Sequence, residues 1–103
     1  MIMKIDVKLV NRGTEGELIL SGRLDSTNAE DVTKLFLQVA DRFQDVTLNL
    51  RELSYISSAG LRSLKTLYMK MRNKGGNLTI TNLAPYVAEV LEMTGFSEML
   101  NIK

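Results

Sequence analysis

The sequence predicts an α/β fold, a small mixed β-sheet of four to five strands with about three to four helices mainly on one face. Runs that alternate apolar and polar residues recur between runs with apolar residues at three- and four-residue spacing, so strands and helices take turns along the chain. The later strands are separated by helical stretches of about 10 to 15 residues, enough for the right-handed crossover that parallel neighbours require. Turn residues near the start, Asn11-Arg-Gly-Thr-Glu-Gly16, instead announce a hairpin, which makes the first strand pair antiparallel. With 103 residues, 1–103 reads as a single domain. At that size folding buries roughly 60 to 70% of the unfolded chain's surface, enough for one core.

Lys4 to Val10 alternates loosely and leads through the turn residues into Glu17-Leu-Ile-Leu20, so the spacing predicts a β-hairpin with a longer loop. Thr27 followed by Glu30 reads as a capping box opening a helix through Phe43, with Ala29, Val32, Phe36, Val39 and Phe43 on its buried face. Val46-Thr-Leu-Asn-Leu50 alternates as a third strand. Leu61, Leu64, Tyr68 and Met71 then mark a helix over about 59 to 73, ended by Gly75. Asn77-Leu-Thr-Ile-Thr81 is a fourth strand. Asn82 can cap a third helix that tolerates Pro85 in its first turn and stops at Gly95. Met99 to Ile102 is either a last strand or a tail packed on the core. The chain shows no internal repeat, low-complexity tract or linker.

Composition narrows the chemistry. The chain has no Cys and no His. That excludes disulfides, a thiolate nucleophile, a zinc cluster and a Ser-His-Asp triad. Acidic pairs such as Glu30-Asp31 fall in a helix's first turn, where dipole-favourable surface charge explains them. Gly75-Gly76 is too short for a phosphate-cradling loop and reads as a helix C-cap. The expectation is therefore a non-enzyme, with no cofactor and no metal. Thirteen Lys and Arg against twelve Asp and Glu give a net charge of +1, which makes no case for direct nucleic-acid binding. No helical stretch has an apolar run near the ~18 residues of a membrane span, and Met-Ile-Met-Lys-Ile-Asp6 lacks the features of a secretory signal. The expected compartment is the cytoplasm.

The most informative segment is Tyr55-Ile-Ser-Ser-Ala-Gly-Leu61, where a strand pattern ends and a helix pattern begins. Its serines sit at a helix N-terminus, where unpaired N–H groups and the helix dipole would accommodate a phosphate. Simple capping by Ser57 or Ser58 explains the same residues. In a parallel sheet the strand ends and following helix starts lie together, so Asp25-Ser-Thr27 and Ser57-Ser58 could share one end of the domain.

That segment resembles the STAS domain of bacterial anti-sigma factor antagonists, whose core reads Asp-Ser-Ser/Ala-Gly-Leu between strand and helix. Gly22-Arg-Leu-Asp25, Gly75-Gly76-Asn-Leu and Thr94-Gly95-Phe96 before Met99-Leu-Asn-Ile102 are also similar, in the family's order and spacing over essentially the whole chain. The resemblance implies a STAS-like fold and phosphorylation of Ser58 by a partner kinase. The partner surface would comprise Asp25, Ser26, Thr27, Ser57, Ser58, Ala59, Gly60 and Arg62. Two departures stand out. Ser57 occupies the position where the family often has Asp and is thus a rival acceptor, and Asn49 stands where Asp-Leu is common in strand three.

By that resemblance the unphosphorylated chain binds an anti-sigma factor that is also a serine kinase, phosphorylation releases it, and a serine phosphatase resets the switch. ATP and magnesium belong to the kinase. Two alternatives stay open: a phosphorylation-independent STAS subunit or scaffold of a transport or signalling complex, and a nucleotide-binding STAS domain. Arg62, Lys65, Lys70, Arg72 and Lys74 make a basic strip on the second helix, which is either a solvated face or a surface that steers an acidic partner. The six methionines read as core filler.

Overall fold

The computed structural model describes residues 5–95 and the backbone of residues 101–102. Its elements are β1 (Ile5–Arg12), β2 (Glu15–Leu24), α1 (Ala29–Arg42), β3 (Asp45–Ile56), α2 (Ser58–Asn73), β4 (Asn77–Thr81), α3 (Pro85–Met93) and β5 (Asn101–Ile102). They form one five-stranded sheet in the order β1-β2-β3-β4-β5. The first pair is antiparallel and the others parallel, the mixed sheet that the sequence pattern predicts.

Alternation along the strands divides the sheet into two unlike faces. Leu18, Leu20, Val46, Leu48, Leu50, Leu78 and Ile80 are buried, in one core with Val32, Phe36 and Val39 of α1 and Leu61, Leu64, Leu67 and Met71 of α2. The intervening Glu15, Glu17, Thr47, Asn49, Thr79 and Thr81 are half-buried on the opposite face. There Thr47 donates to Glu15 at 3.2 Å, Asn49 to Glu17 at 3.3 Å, and Arg12 pairs with Glu17 at 2.8 Å. A face so occupied by polar side chains needs no helix to cover it.

The hairpin is tighter than expected. Arg12 pairs with Glu15, so only Gly13 and Thr14 form the loop. Gly13 has φ +81 and its N–H donates to the Asn11 side chain at 3.0 Å. A positive φ at the first central position is the type II′ arrangement, which matches strand twist and lets both strands run into the supposed loop.

Gly75 does end α2. With φ +75 it turns the chain so that its N–H reaches the Arg72 carbonyl at 3.1 Å while Gly76 N–H reaches that of Met71 at 2.8 Å, a Schellman cap. A Cβ on Gly76 would lie 2.6 Å from the Gln44 carbonyl oxygen, so this turn also has to pass close to the chain entering β3.

Asn82, in contrast, does not cap α3. It takes φ +57, a left-handed conformation Asn tolerates, and the helix starts at Pro85 behind Ala84. Gly95, at φ +81, follows the helix end as expected. Phe96, Met99 and Leu100 lie outside the described residues. Asn101 and Ile102 pair with Thr79 and Ile80, so that part of the tail is a strand.

Candidate phosphoacceptor and partner site

The site is built where β2 and β3 end together. Their register opens with Glu15 opposite Asp45 and closes with Leu24 opposite Ile56, after two irregularities that feed extra residues into β3. Ser57 N–H then donates to the Leu24 carbonyl at 2.9 Å. The chain after Leu24 and the chain after Ile56 thus leave the sheet side by side, which brings Asp25 and the two serines to one end of the domain.

On the β2 side, Asp25 organises the loop. Its carboxylate accepts from the Thr27 N–H at 3.0 Å and from the Thr27 hydroxyl, and its carbonyl accepts from Asn28 N–H at 3.2 Å and Ala29 N–H at 2.9 Å. This overturns the capping box read at Thr27 and Glu30. With the Thr27 hydroxyl engaged by Asp25, the helix begins later, with Asn28 at the N-cap and no side-chain cap bond. Asn28 is buried and holds the loop closed, accepting from Asp25 N–H at 3.0 Å and donating to the Arg23 carbonyl at 2.8 Å. Ser26 and Thr27 are exposed.

On the β3 side the two serines divide their tasks. Ser57 is the N-cap of α2, its hydroxyl oxygen accepting from Gly60 N–H at 3.3 Å. An aspartate at this position would cap the helix equally well, which accounts for Ser standing where the family often has Asp. Ser58 is the first helical residue and exposed, and its hydroxyl has no hydrogen-bond partner among the described residues. Ser57→Ala is expected to lower stability by about 1 kcal/mol and Ser57→Asp to retain it, measured by thermal unfolding. Equal melting temperatures for the wild type and Ser57→Ala would show that the cap contributes nothing.

Gly60 is required for a different reason. A Cβ there would sit 2.8 Å from side-chain carbons of Ile56 and Leu24 and 3.0 Å from the Leu24 carbonyl oxygen, so α2 seats directly on the strand ends. Ala59 is half-buried, and Arg62 is exposed one turn beyond Ser58. Behind them a hydroxyl pair ties α1 to α2. Buried Ser63 accepts from Thr33 at 2.7 Å and lies 3.1 Å from the Ala29 carbonyl and 3.3 Å from that of Ala59. The first turn of α2 has no acidic residue, so the positive end of its dipole is not offset by its own side chains.

The basic strip is less uniform than its sequence. Lys70 pairs with Asp41 at 3.2 Å, and Lys74 donates to the carbonyls of Ala40 and Phe43 at the end of α1. These two lysines brace the helix pair. Arg62, Lys65 and Arg72 are exposed without an ion-pair partner among the described residues. Two further features had no signal in the sequence pattern: the Asn28 clasp, a local closure of the turn after β2, and a stack in which Arg23 lies 4.1 Å over the Tyr55 ring of its strand partner while Tyr55 stacks on Tyr86 of α3 at 5.8 Å.

The model of the STAS domain matches residues 7–103. BtrV of Bordetella bronchiseptica, provisionally assigned as an anti-sigma factor antagonist, is 40% identical over 93 residues, covering 87% of this chain and 80% of BtrV. The chain belongs to the STAS family of anti-sigma factor antagonists. The anti-sigma-B factor antagonist of Bacillus subtilis is 22% identical over 100 residues, 97% of this chain and 92% of that protein. Among solved structures the Bacillus protein SpoIIAA shares the STAS fold at 17% identity. Its unphosphorylated form superposes with a TM-score of 0.75 over 96% of this chain and 86% of its own, and its phosphorylated form with 0.73 over 96% and 90%. In this STAS protein no helix among the described residues is long and apolar enough to cross a membrane.

Proposed function

We propose that this STAS protein acts by partner switching. Unphosphorylated, it binds an anti-sigma factor that is also a serine kinase and so frees a sigma factor; phosphorylated on Ser58, it lets the kinase go until a serine phosphatase restores it. The observation that carries this reading is the division between the serines: Ser57 is held as the helix cap while the exposed Ser58 hydroxyl has no partner among the described residues. The phosphorylated SpoIIAA structure supports it by showing that a protein of this fold carries the modification. In this role the protein is the kinase's substrate and ligand, a cytoplasmic regulator that is not itself an enzyme. Asp25, Ser26, Thr27, Ser57, Ala59, Gly60 and Arg62 frame the acceptor.

A nucleotide site finds little support. A broad concavity on the open sheet face is lined by Glu15, Glu17 and Asp45, with Arg12 already paired to Glu17. Carboxylates there would repel phosphates. The scaffold reading differs from the switch in predicting no phosphate transfer at all. With the cognate anti-sigma kinase and ATP, one phosphate is expected on Ser58 by mass spectrometry, lost in Ser58→Ala and retained in Ser57→Ala. Labelling that survives Ser58→Ala would overturn the assignment, and no labelling of any variant would favour the scaffold.

A further inference from the structure

We propose that Arg23, Tyr55 and Tyr86 form a second half of the docking surface, a flat cationic and aromatic platform that receives a carboxylate and an apolar side chain of the same anti-sigma kinase that covers Ser58. The proposal rests on the partner-switching reading above and specifies the chemistry of the partner's face.

The platform joins three elements. The Arg23 guanidinium of β2 lies 4.1 Å over the ring of Tyr55 on β3, and that ring stacks on Tyr86 of α3, with centroids 5.8 Å apart and planes 13° from parallel. Tyr55 is half-buried, whereas Arg23 is exposed and Tyr86 is 47% exposed. The platform also continues the phosphoacceptor site. Arg23 and Tyr55 are strand partners, as are the next residues, Leu24 and Ile56, beyond which Asp25 and Ser57 lead into the site. Along α3 an apolar stripe extends it, since Tyr86, half-buried Val90 and Met93 recur at helical spacing and Met93 is 78% exposed.

Charge and rigidity identify what fits there. No carboxylate pairs with Arg23 or with Arg62 among the described residues. Stacking occupies only the face of a guanidinium and leaves its in-plane N–H groups free to grip a carboxylate with two bonds. Tyrosine and arginine already held in place lose little conformational freedom on binding, the property that makes such residues dominate interfaces. A partner matched to Arg23 on β2 and Arg62 on α2 presents carboxylates to this end of the domain. Those same carboxylates would meet a phosphate on Ser58 with repulsion, so the platform also explains why modification releases the partner.

The test is calorimetric titration of the full chain with the cognate anti-sigma kinase, beside thermal unfolding of each variant. Arg23→Glu, Tyr86→Ala and Met93→Asp are each expected to weaken binding at least tenfold with melting temperatures close to the wild type, while Arg23→Lys, which keeps the charge but not the planar fork, falls between. If wild type binds and Ser58→Asp does not, yet Arg23→Glu and Met93→Asp bind as tightly as wild type, the platform is overturned and the switch stands. A Tyr86→Ala effect that appears only with a collapse in melting temperature, the other two variants being unaffected, makes the stack a brace for α3 and also overturns it. Failure of the wild-type chain to bind any anti-sigma kinase removes both proposals together.

Discussion

Ser58→Asp is expected to bind the anti-sigma kinase on the order of a hundredfold more weakly than the wild type, and Ser58→Ala to bind it constitutively. A phosphate brings roughly −1.5 to −2 charges. Within the free domain the helix dipole stabilises such a charge by only about 0.3 to 1 kcal/mol. The unpartnered Ser58 hydroxyl gives up no hydrogen bond among the described residues, so nothing there drives a rearrangement. At the interface the balance reverses, because the anion must be stripped of water while facing partner carboxylates. A penalty of about 3 kcal/mol corresponds to the hundredfold loss, since every ~1.4 kcal/mol is tenfold. Circular dichroism should be the same for all three proteins. Equal affinity of the kinase for wild type, Ser58→Asp and phosphorylated protein would sink the switch.

Asn28→Ala should produce a large loss of stability. Asn28 is 7% exposed and its amide bonds both the Asp25 N–H and the Arg23 carbonyl across the end of β2. Stranding a buried polar group costs about 1 to 3 kcal/mol, and here two partly buried groups lose their partner. A total near 3 kcal/mol would lower the melting temperature of a domain this size by about 12 to 24 °C. Partner binding should weaken as well, because the loop that carries Asp25, Ser26 and Thr27 loses its clasp. A variant that melts within a few degrees of the wild type would show that water replaces both bonds.

The fold and the site differed in how far the sequence revealed them. β4 is found at Asn77–Thr81, as its alternation indicates, and α2 opens one residue before the expected start, since period and caps are local signals. The misreadings at Thr27 and Asn82 share one cause. Each is a residue able to cap a helix, and in each case a neighbouring interaction took it first: the Asp25 carboxylate binds the Thr27 hydroxyl, and Asn82 adopts a left-handed turn before Pro85. The division of labour between Ser57 and Ser58 was equally hidden, because either hydroxyl can cap and only the helix register selects one. The Asn28 clasp depends on the exact path of the turn after β2, and the Arg23, Tyr55 and Tyr86 stack on partners 31 and 32 residues apart, so neither follows a periodic pattern.

The sheet order has a consequence for how the molecule forms. Because spatial order follows chain order from β1 to β5, each strand docks on the one just completed, and no finished strand waits for a distant segment. Synthesis delivers the elements in that same order. The elements that hold Asp25, Asn28 and Ser58 are complete once α2 ends at Asn73, whereas Tyr86 arrives later with α3. Every element that positions the acceptor hydroxyl is thus synthesised before the last two strands of the sheet.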